Sequence, residues 1–469
     1  MRTQVLGGAW CALLCTLAAC SASNSGGASS ATVAGALTDS SRTPAAVRSL
    51  SAGAGIAVSG NKFINTATGK PVVLAGANLD GLDGSGGYGG AGQIKQWSII
   101  AGITSAQWGA IAAKWGINAI RLPMNSDYWL NPTVFDDPAA AAIETGACCY
   151  TSIAPGSYTP DASSAYQSVI TTIVTRITAA GIVVLLDLHC DAPKNSSGQY
   201  IACVGETSFP SSDTAPSFWS QVANTFKSNP MVIFALFNEP YGSSNYNRAA
   251  PPPAAVSGGG NRATPASSAV TMITGGLYTP FSMLASDKTL VTLSGGAALN
   301  AAGMTGLITT IRKTGATNVI LAPPIWYSGQ IQTWLNSYTT ANYGRPSAGN
   351  PDPLGQLGAD WHNYDWSTGT RAPTAILAAG YPICITETFG FDSQLDGGRD
   401  TSGYTWAASN GIGVLLWTWA TWDSHRYIPG GAQSSTDMYN YLLNTGPWVN
   451  GGAPVPAGNT FGQSPLSPI

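Results

Sequence analysis

The chain has 469 residues, with 20 Lys+Arg against 23 Asp+Glu, for a formal net charge of -3. Only 9% of residues are charged, which excludes electrostatic attraction as a basis for binding nucleic acid or an anionic membrane surface. A weakly charged surface in a chain with 15 Trp and 18 Tyr suits a neutral, hydroxyl-rich ligand that stacks on aromatic faces, although most of those rings belong in a core.

In chain order, the first segment reads as a targeting signal: Arg2 supplies a positive start and Val5 to Leu17 a mostly apolar run. The following Leu17-Ala18-Ala19-Cys20-Ser21 resembles the lipobox of bacterial lipoproteins. That resemblance implies cleavage before Cys20, lipidation of its thiol, and attachment of an exported protein to a bacterial cell surface or outer membrane. An ordinary secretory signal, with Cys20 incidental, is the alternative. The reading is therefore a signal peptide over 1–19, a flexible Ser/Ala/Gly-rich tether over 20–55, one domain over 56–447, and a Pro/Gly-rich tail over 448–469.

Within the domain, apolar strand-like runs alternate with helix-like segments, the pattern of a parallel β/α architecture. The strand candidates are Pro71 to Asn78, Ile117 to Pro123, Gly181 to His189, Met231 to Glu239, Asn318 to Pro323, Gly358 to Tyr364, Tyr381 to Glu387, and Gly411 to Trp417. Helices are expected over Ser105 to Trp115, Ser164 to Ala180, Pro216 to Ser228, Ala302 to Thr314, and Ala372 to Ala379. Eight such units predict an α/β fold, a (β/α)8 TIM barrel. The extra length falls after strand ends, in Asn125 to Pro160, Asp191 to Ala215, and Tyr241 to about Leu299, so the long βα loops sit on the C-terminal face where barrels build clefts.

Beyond the signal and Cys20, five cysteines remain: Cys148, Cys149, Cys190, Cys203 and Cys384. An odd number leaves at least one unpaired, and Cys384 in its apolar run reads as a buried free thiol. Cys190 with Cys203 would close one loop, but the pairing is open. No metal-ligand spacing with His is present, so a zinc site is not expected, and chemistry carried by carboxylates implies no metal or organic cofactor.

Polar residues collect at the ends of the apolar runs: Arg121, His189, Asn238, Glu239, His362, Tyr364, Glu387 and Trp417. Two carboxylates at strand tips, Glu239 and Glu387, are what hydrolysis of a glycosidic bond requires, and strand tips are where a (β/α)8 barrel keeps its catalytic groups. Trp326 follows the fifth run, where stacking on sugar and packing in the core explain it equally well. Trp361, Trp366, Trp419 and Trp422 are near strand ends without an assignable role, and Asn78 has weak support.

Six motifs together resemble glycoside hydrolase family 5, the cellulase-type members of the clan A barrels. They are Gly116 to Pro123, Asp187-Leu188-His189, Phe237-Asn238-Glu239-Pro240, His362-Asn363-Tyr364, Ile385-Thr386-Glu387 and Gly411 to Trp417. They span about residues 60 to 420 in family order. The resemblance implies a retaining mechanism with Glu239 as general acid/base and Glu387 as nucleophile. It further implies that Arg121 keeps Glu387 ionised and Tyr364 donates to it, that Asn238 contacts the 2-hydroxyl, that His189 and His362 line the reacting-sugar subsite, and that Trp417 forms the platform beneath that sugar.

The implied partner is a β-linked polysaccharide or oligosaccharide, taken by a monomer, and the leading activity is endo-β-1,4-glucanase. A β-mannanase or an exo-β-glucosidase are the alternatives within the family. A non-catalytic carbohydrate-binding surface lipoprotein is the alternative outside it. Two departures bear on substrate: Cys190-Asp191-Ala192-Pro193 follows His189 where many cellulases have an aromatic, and the insertion after Tyr241 is long.

Overall fold

The structure, a computed structural model, describes residues 50, 54–79, 82–83, 100–130, 165–191, 209–240, 266–278, 282–284, 290–292, 299–340, 348–364, 371–388, 402–419, 448–449 and 453–454. These belong to one compact unit, Thr43–Ile469. The signal with Cys20, most of the tether, the tail apart from Trp448–Val449 and Ala453–Pro454, and Cys148, Cys149 and Cys203 lie outside the described residues.

Eight parallel strands close into a barrel in chain order: β1 (Ala75–Asn78), β2 (Ala119–Asn125), β3 (Val183–Cys190), β4 (Val232–Ala235), β5 (Ile320–Ala322), β6 (Leu357–His362), β7 (Ile383–Glu387) and β8 (Gly413–Leu416). The β8–β1 pairing completes the ring. Helices alternate with the strands: α1 (Ser105–Trp115), α2 (Ala165–Ala179), α3 (Ala215–Phe226), α4 (Met304–Lys313), α5 (Trp334–Tyr338), α6 (Arg371–Ala378) and α7 (Ser402–Ser409). This is the (β/α)8 barrel that the alternating pattern predicts.

Local chemistry explains several boundaries. Thr104 and Gln107 form a capping box at the start of α1, and Gly116 ends that helix in the left-handed conformation at φ 66°. Pro216 occupies the first turn of α3, where a missing N–H costs nothing. On β1, a Cβ at Gly76 would lie 1.7 Å from the Ala119 carbonyl oxygen, so only glycine lets β1 and β2 approach this closely.

Two apolar clusters hold the ring. One fills the barrel interior with Ala119, Val183, Leu185, Ile233, Ala235, Val319, Leu321, Cys384 and Leu415, and it continues into Phe63 of an N-terminal hairpin, Ile56–Ser59 with Lys62–Asn65. The other lies between strands and helices, with Ile120, Val184, Phe234 and Ile385 facing Trp108, Ile173, Trp219 and Leu307 among others. Alternation along each strand assigns successive residues to the two clusters. Cys384 is a buried free thiol, as expected, and burial with the charge of Asp360 pushes its pKa up, leaving it inert.

The sequence-based boundaries need three corrections. Pro71–Asn78 is two strands: Pro71–Val72 pairs with the hairpin, and only Ala75–Asn78 enters the barrel, a break hidden by continuous apolar residues. β4 ends at Ala235, so Asn238 and Glu239 stand beyond it. The connection from Tyr241 contains a helix, Ala266–Thr274, and short antiparallel pairs, Gly276–Tyr278 with Leu299–Ala301 and Ser282–Leu284 with Leu290–Thr292. Helices α5 and α7 escape the apolar periodicity because one has five residues and the other reads SGYTWAAS.

Candidate active site

Above the apolar layers the barrel interior turns polar, and Arg121 on β2 is its hub. Its side chain is fully buried, which a guanidinium tolerates only among anions and acceptors. Nη1 donates to Glu387 Oε1 at 2.5 Å and to Asn78 Oδ1 at 2.9 Å. Nη2 donates to Asn238 Oδ1 at 2.8 Å and lies 2.8 Å from Asp187 Oδ2. Desolvation alone would lower the Arg121 pKa, but the charges of Asp187, Glu387 and Asp360 outweigh it and the guanidinium is held charged. β1, β2, β3, β7 and the segment after β4 thus meet at one cation.

Asn78 does a second job. Its Nδ2 donates to the carbonyls of Thr386 at 2.8 Å and Leu416 at 3.1 Å, fastening the upper ends of β7 and β8 to β1. Glu387 also accepts a hydrogen bond at Oε2 from Tyr364 Oη, at 2.8 Å. Burial and the charges of Glu387 and Glu239 raise the Tyr364 pKa well above its usual value, so the phenol remains a donor.

On β3, His189 Nδ1 is 2.9 Å from Asp187 Oδ2, which as a carboxylate oxygen makes the ring nitrogen the donor. Burial disfavours the His189 cation, but the hydrogen bond to Asp187 and the charges of Asp83, Asp187 and Glu387 prevail and push its pKa up to about 9. The Asn238 amide works the other way: its Oδ1 is taken by Arg121, so Nδ2 faces His189 Nε2 at 3.3 Å, a contact a neutral ring accepts better. Trp417, just past β8, stacks on His189 with ring centroids 5.5 Å apart and planes 14° apart. The Trp417–Thr418 peptide bond is cis.

Glu239 meets β6 rather than Arg121. His362 Nδ1 lies 2.6 Å from Glu239 Oε1 and 3.4 Å from Glu387 Oε2. Burial, with the positive charges of Arg121 and His189, pushes the His362 pKa well below the usual value, so the ring is neutral at pH 7. One oxygen of each glutamate and a nitrogen of His362 lie within 4.8 Å of one another. The backbone irregularities at Met124/Asn125 and Trp361/His362 fall in this layer, where bulges re-aim side chains.

All eight expected site residues in the barrel therefore gather in one place: Arg121, His189, Asn238, Glu239, His362, Tyr364, Glu387 and Trp417. Trp361 and Trp419 are buried core residues, and Trp326 is half-buried against the core; Trp366 and Trp422 lie outside the described residues. The sequence reading gave Asp187 and Asp360 no role. Each stands two positions before a site histidine, and strand alternation puts such pairs on one face, a signal that was there to be used. Asp360 is fully buried and accepts a hydrogen bond at Oδ1 from Thr386 Oγ1. Burial pushes its pKa up to about 7 against the pull of Arg121 and that hydrogen bond, with the charges of Asp187 and Glu387 adding to the rise.

The disulfide expectation is partly answered: Cys190 is disulfide-bonded, with its partner outside the described residues. The neighbouring Asp191 is buried and accepts from Ser126 Oγ at 2.6 Å and Thr214 Oγ1 at 2.5 Å, tying the departure after His189 to the start of α3.

A closed parallel barrel with paired glutamates above its strands defines a class, the (β/α)8 glycoside hydrolases. The sequence profile of Cellulase (glycosyl hydrolase family 5) matches residues 66–425, and the chain belongs to this family of enzymes that hydrolyse O-glycosyl bonds. Among solved structures it is similar to the catalytic domain of a mannanase from Streptomyces sp. SirexAA-E, at 16% identity over 86% of this chain and 91% of that one, TM-score 0.45. It is similar to cellulase Cel5C_n at 15% identity, over 85% of this chain and 95% of that one, TM-score 0.45. A β-glucanase from Saccharophagus degradans in complex with cellotetraose matches at 16% identity, over 85% and 95% of the two chains, TM-score 0.41. These likenesses fix no substrate.

Proposed function

We propose that the chain is a retaining endo-β-1,4-glucanase in which Glu239 is the general acid/base and Glu387 the nucleophile. The observation that carries the retaining assignment is the closeness of the two carboxylates, with oxygens within 4.8 Å. Retaining enzymes hold the groups about 5–5.5 Å apart, whereas inverting enzymes leave about 6.5–9.5 Å for a water.

The surroundings divide the roles. Glu387 is paired with Arg121 and hydrogen-bonded by Tyr364, so its charge is stabilised and its oxygens are oriented for attack on the anomeric carbon. Glu239 instead places its Oε1 2.6 Å from the Nδ1 of a neutral imidazole, His362. With His362 Nδ1–H donating to Oε1, the Glu239 carboxyl is oriented to deliver the proton that the leaving oxygen needs. Attack by Glu387 then breaks the glycosidic bond as Glu239 protonates the departing sugar. Glu239, now ionised, removes a proton from water, which displaces Glu387 and restores the starting state. Asn238, oriented by Arg121, would hold the 2-hydroxyl, and Trp417 on His189 would be the apolar floor beneath the reacting sugar.

Activity on cellulose derivatives, glucomannan, galactomannan and xylan, with product lengths resolved, tests the substrate. Internal cleavage of β-1,4-glucan is expected, and exclusive cleavage of a mannan overturns the glucanase assignment.

The same proposal places the enzyme outside the cytoplasm, attached through a lipidated Cys20. Its support is the Leu17-to-Ser21 motif together with the disulfide at Cys190, a bond favoured in oxidising compartments. Radiolabelled fatty acid should mark the wild type and not Cys20→Ser; equal labelling disposes of the anchor.

A further inference from the structure

The connection after β5 holds three consecutive non-glycine residues at positive φ: Trp326 at 67°, Tyr327 at 54° and Ser328 at 52°. An L side chain in this region crowds its own carbonyl, so a run of three persists only where its surroundings hold it. Here the surroundings are the backbone on both sides of Glu239. Ser328 is fully buried, and its Oγ donates to the Asn238 carbonyl at 2.5 Å. Tyr327 N–H donates to the Pro240 carbonyl at 3.1 Å. The Ser328 carbonyl in turn accepts from the His362 N–H at 3.0 Å.

No sheet pairing with β5 does this work. The β4–β5 ladder ends at Ala235–Leu321 and the β5–β6 ladder at Ala322–Ala359, short of Glu239 and His362. Across β5, the left-handed turn is what joins the two segments whose side chains meet at 2.6 Å. A looser turn would let the segments drift apart, and a displacement of a few tenths of an ångström is enough to weaken a hydrogen bond of that length.

We propose that Ser328 is a positioning residue for proton transfer: by pinning Asn238 with its hydroxyl and His362 with its carbonyl, it sets the Glu239–His362 spacing and thereby how well Glu239 delivers its proton. This rests on the acid/base reading of Glu239. A serine that merely satisfied a buried carbonyl would affect stability, or all substrates alike.

Two aryl β-biosides of the sugar that the wild type cleaves separate the cases. A dinitrophenolate leaves without a proton, whereas a phenolate needs one, and kcat/KM reports only the steps through formation of the glycosyl-enzyme. Ser328→Ala and Ser328→Gly are measured beside Glu239→Ala, with thermal unfolding as the check on folding. Ser328→Gly removes the hydroxyl while keeping the left-handed backbone accessible, so it carries the test should the alanine variant unfold. The expected result is a loss of about tenfold or more on the phenyl glycoside, within the range of acid catalysis, and little change on the dinitrophenyl glycoside. The acid/base limb of the pH–rate profile should move in both serine variants. Equal losses on both glycosides, while Glu239→Ala is selective, overturn the proposal and leave the acid/base reading intact. An unselective Glu239→Ala overturns both, and failure of both serine variants to fold makes Ser328 a stability element instead.

Discussion

His362 Nδ1 sits 2.6 Å from Glu239 Oε1 and 3.4 Å from Glu387 Oε2, so one neutral imidazole bridges the two carboxylates of the site. A charged ring there would bind both glutamates as anions and hold Glu239 in the wrong protonation state for an acid. Arg121 and His189 supply positive charge on the other side of Glu387, and that charge is part of what keeps His362 neutral. The two halves of the site are thus electrostatically linked although Glu239 makes no contact with Arg121 among those described.

The division of labour between the glutamates is testable by rescue. Glu387→Ala should lose activity on every glycoside, and added azide should restore turnover with the α-glycosyl azide as product. Glu239→Ala should lose about 10²–10⁴-fold on unactivated glycan but little on a dinitrophenyl glycoside, and azide should give the β-azide. Nuclear magnetic resonance of the azide products reads the assignment; exchanged stereochemistry would reverse the roles.

Asp187 is the shared counter-ion of Arg121 and His189, at 2.8 and 2.9 Å. Asp187→Ala strands buried positive charge and should destabilise the barrel by about 3–5 kcal/mol in urea unfolding. It should also move the His189 pKa down from about 9, followed by its ring-proton shift. The sign for the wild type follows: a pKa raised above about 6.5 contributes stability in full below that pH, and the contribution is lost as pH rises through about 9.

Asp360 makes the opposite kind of variant informative. Its pKa is raised to about 7, so the folded state prefers the neutral form, and the relative stability present below about pH 4 is lost as pH rises through 7. Asp360→Asn keeps the shape without the charge. It should match the wild type near about pH 4 and be more stable by roughly 2–4 kcal/mol near about pH 8. Unfolding at both pH values checks this, and a variant no more stable at the higher pH would mean that Arg121 keeps Asp360 ionised.

Much of this was legible in the sequence because barrel strands, buried on both faces, read as apolar runs whose polar terminations stand out. Arg121, His189, Glu387 and His362 end or interrupt such runs and were found for that reason. The break between Val72 and Ala75 was invisible because Val73 and Leu74 continue the run, the pair partners being set by tertiary contacts. Asp187 and Asp360 lie inside runs, where a lone acid reads as an exception rather than as half of a period-two pair. Ser328 was beyond reach altogether: nothing in Trp326-Tyr327-Ser328 signals left-handed backbone, since glycine is the residue that ordinarily marks it.

Retention through a Glu387 glycosyl-enzyme leaves its mark on the stereochemistry of the first product. Proton nuclear magnetic resonance of the anomeric signals in the first minutes of hydrolysis, before mutarotation, tests it directly. The geometry predicts that the β-anomer appears first and the α-anomer only later; an initial α-anomer would contradict the account.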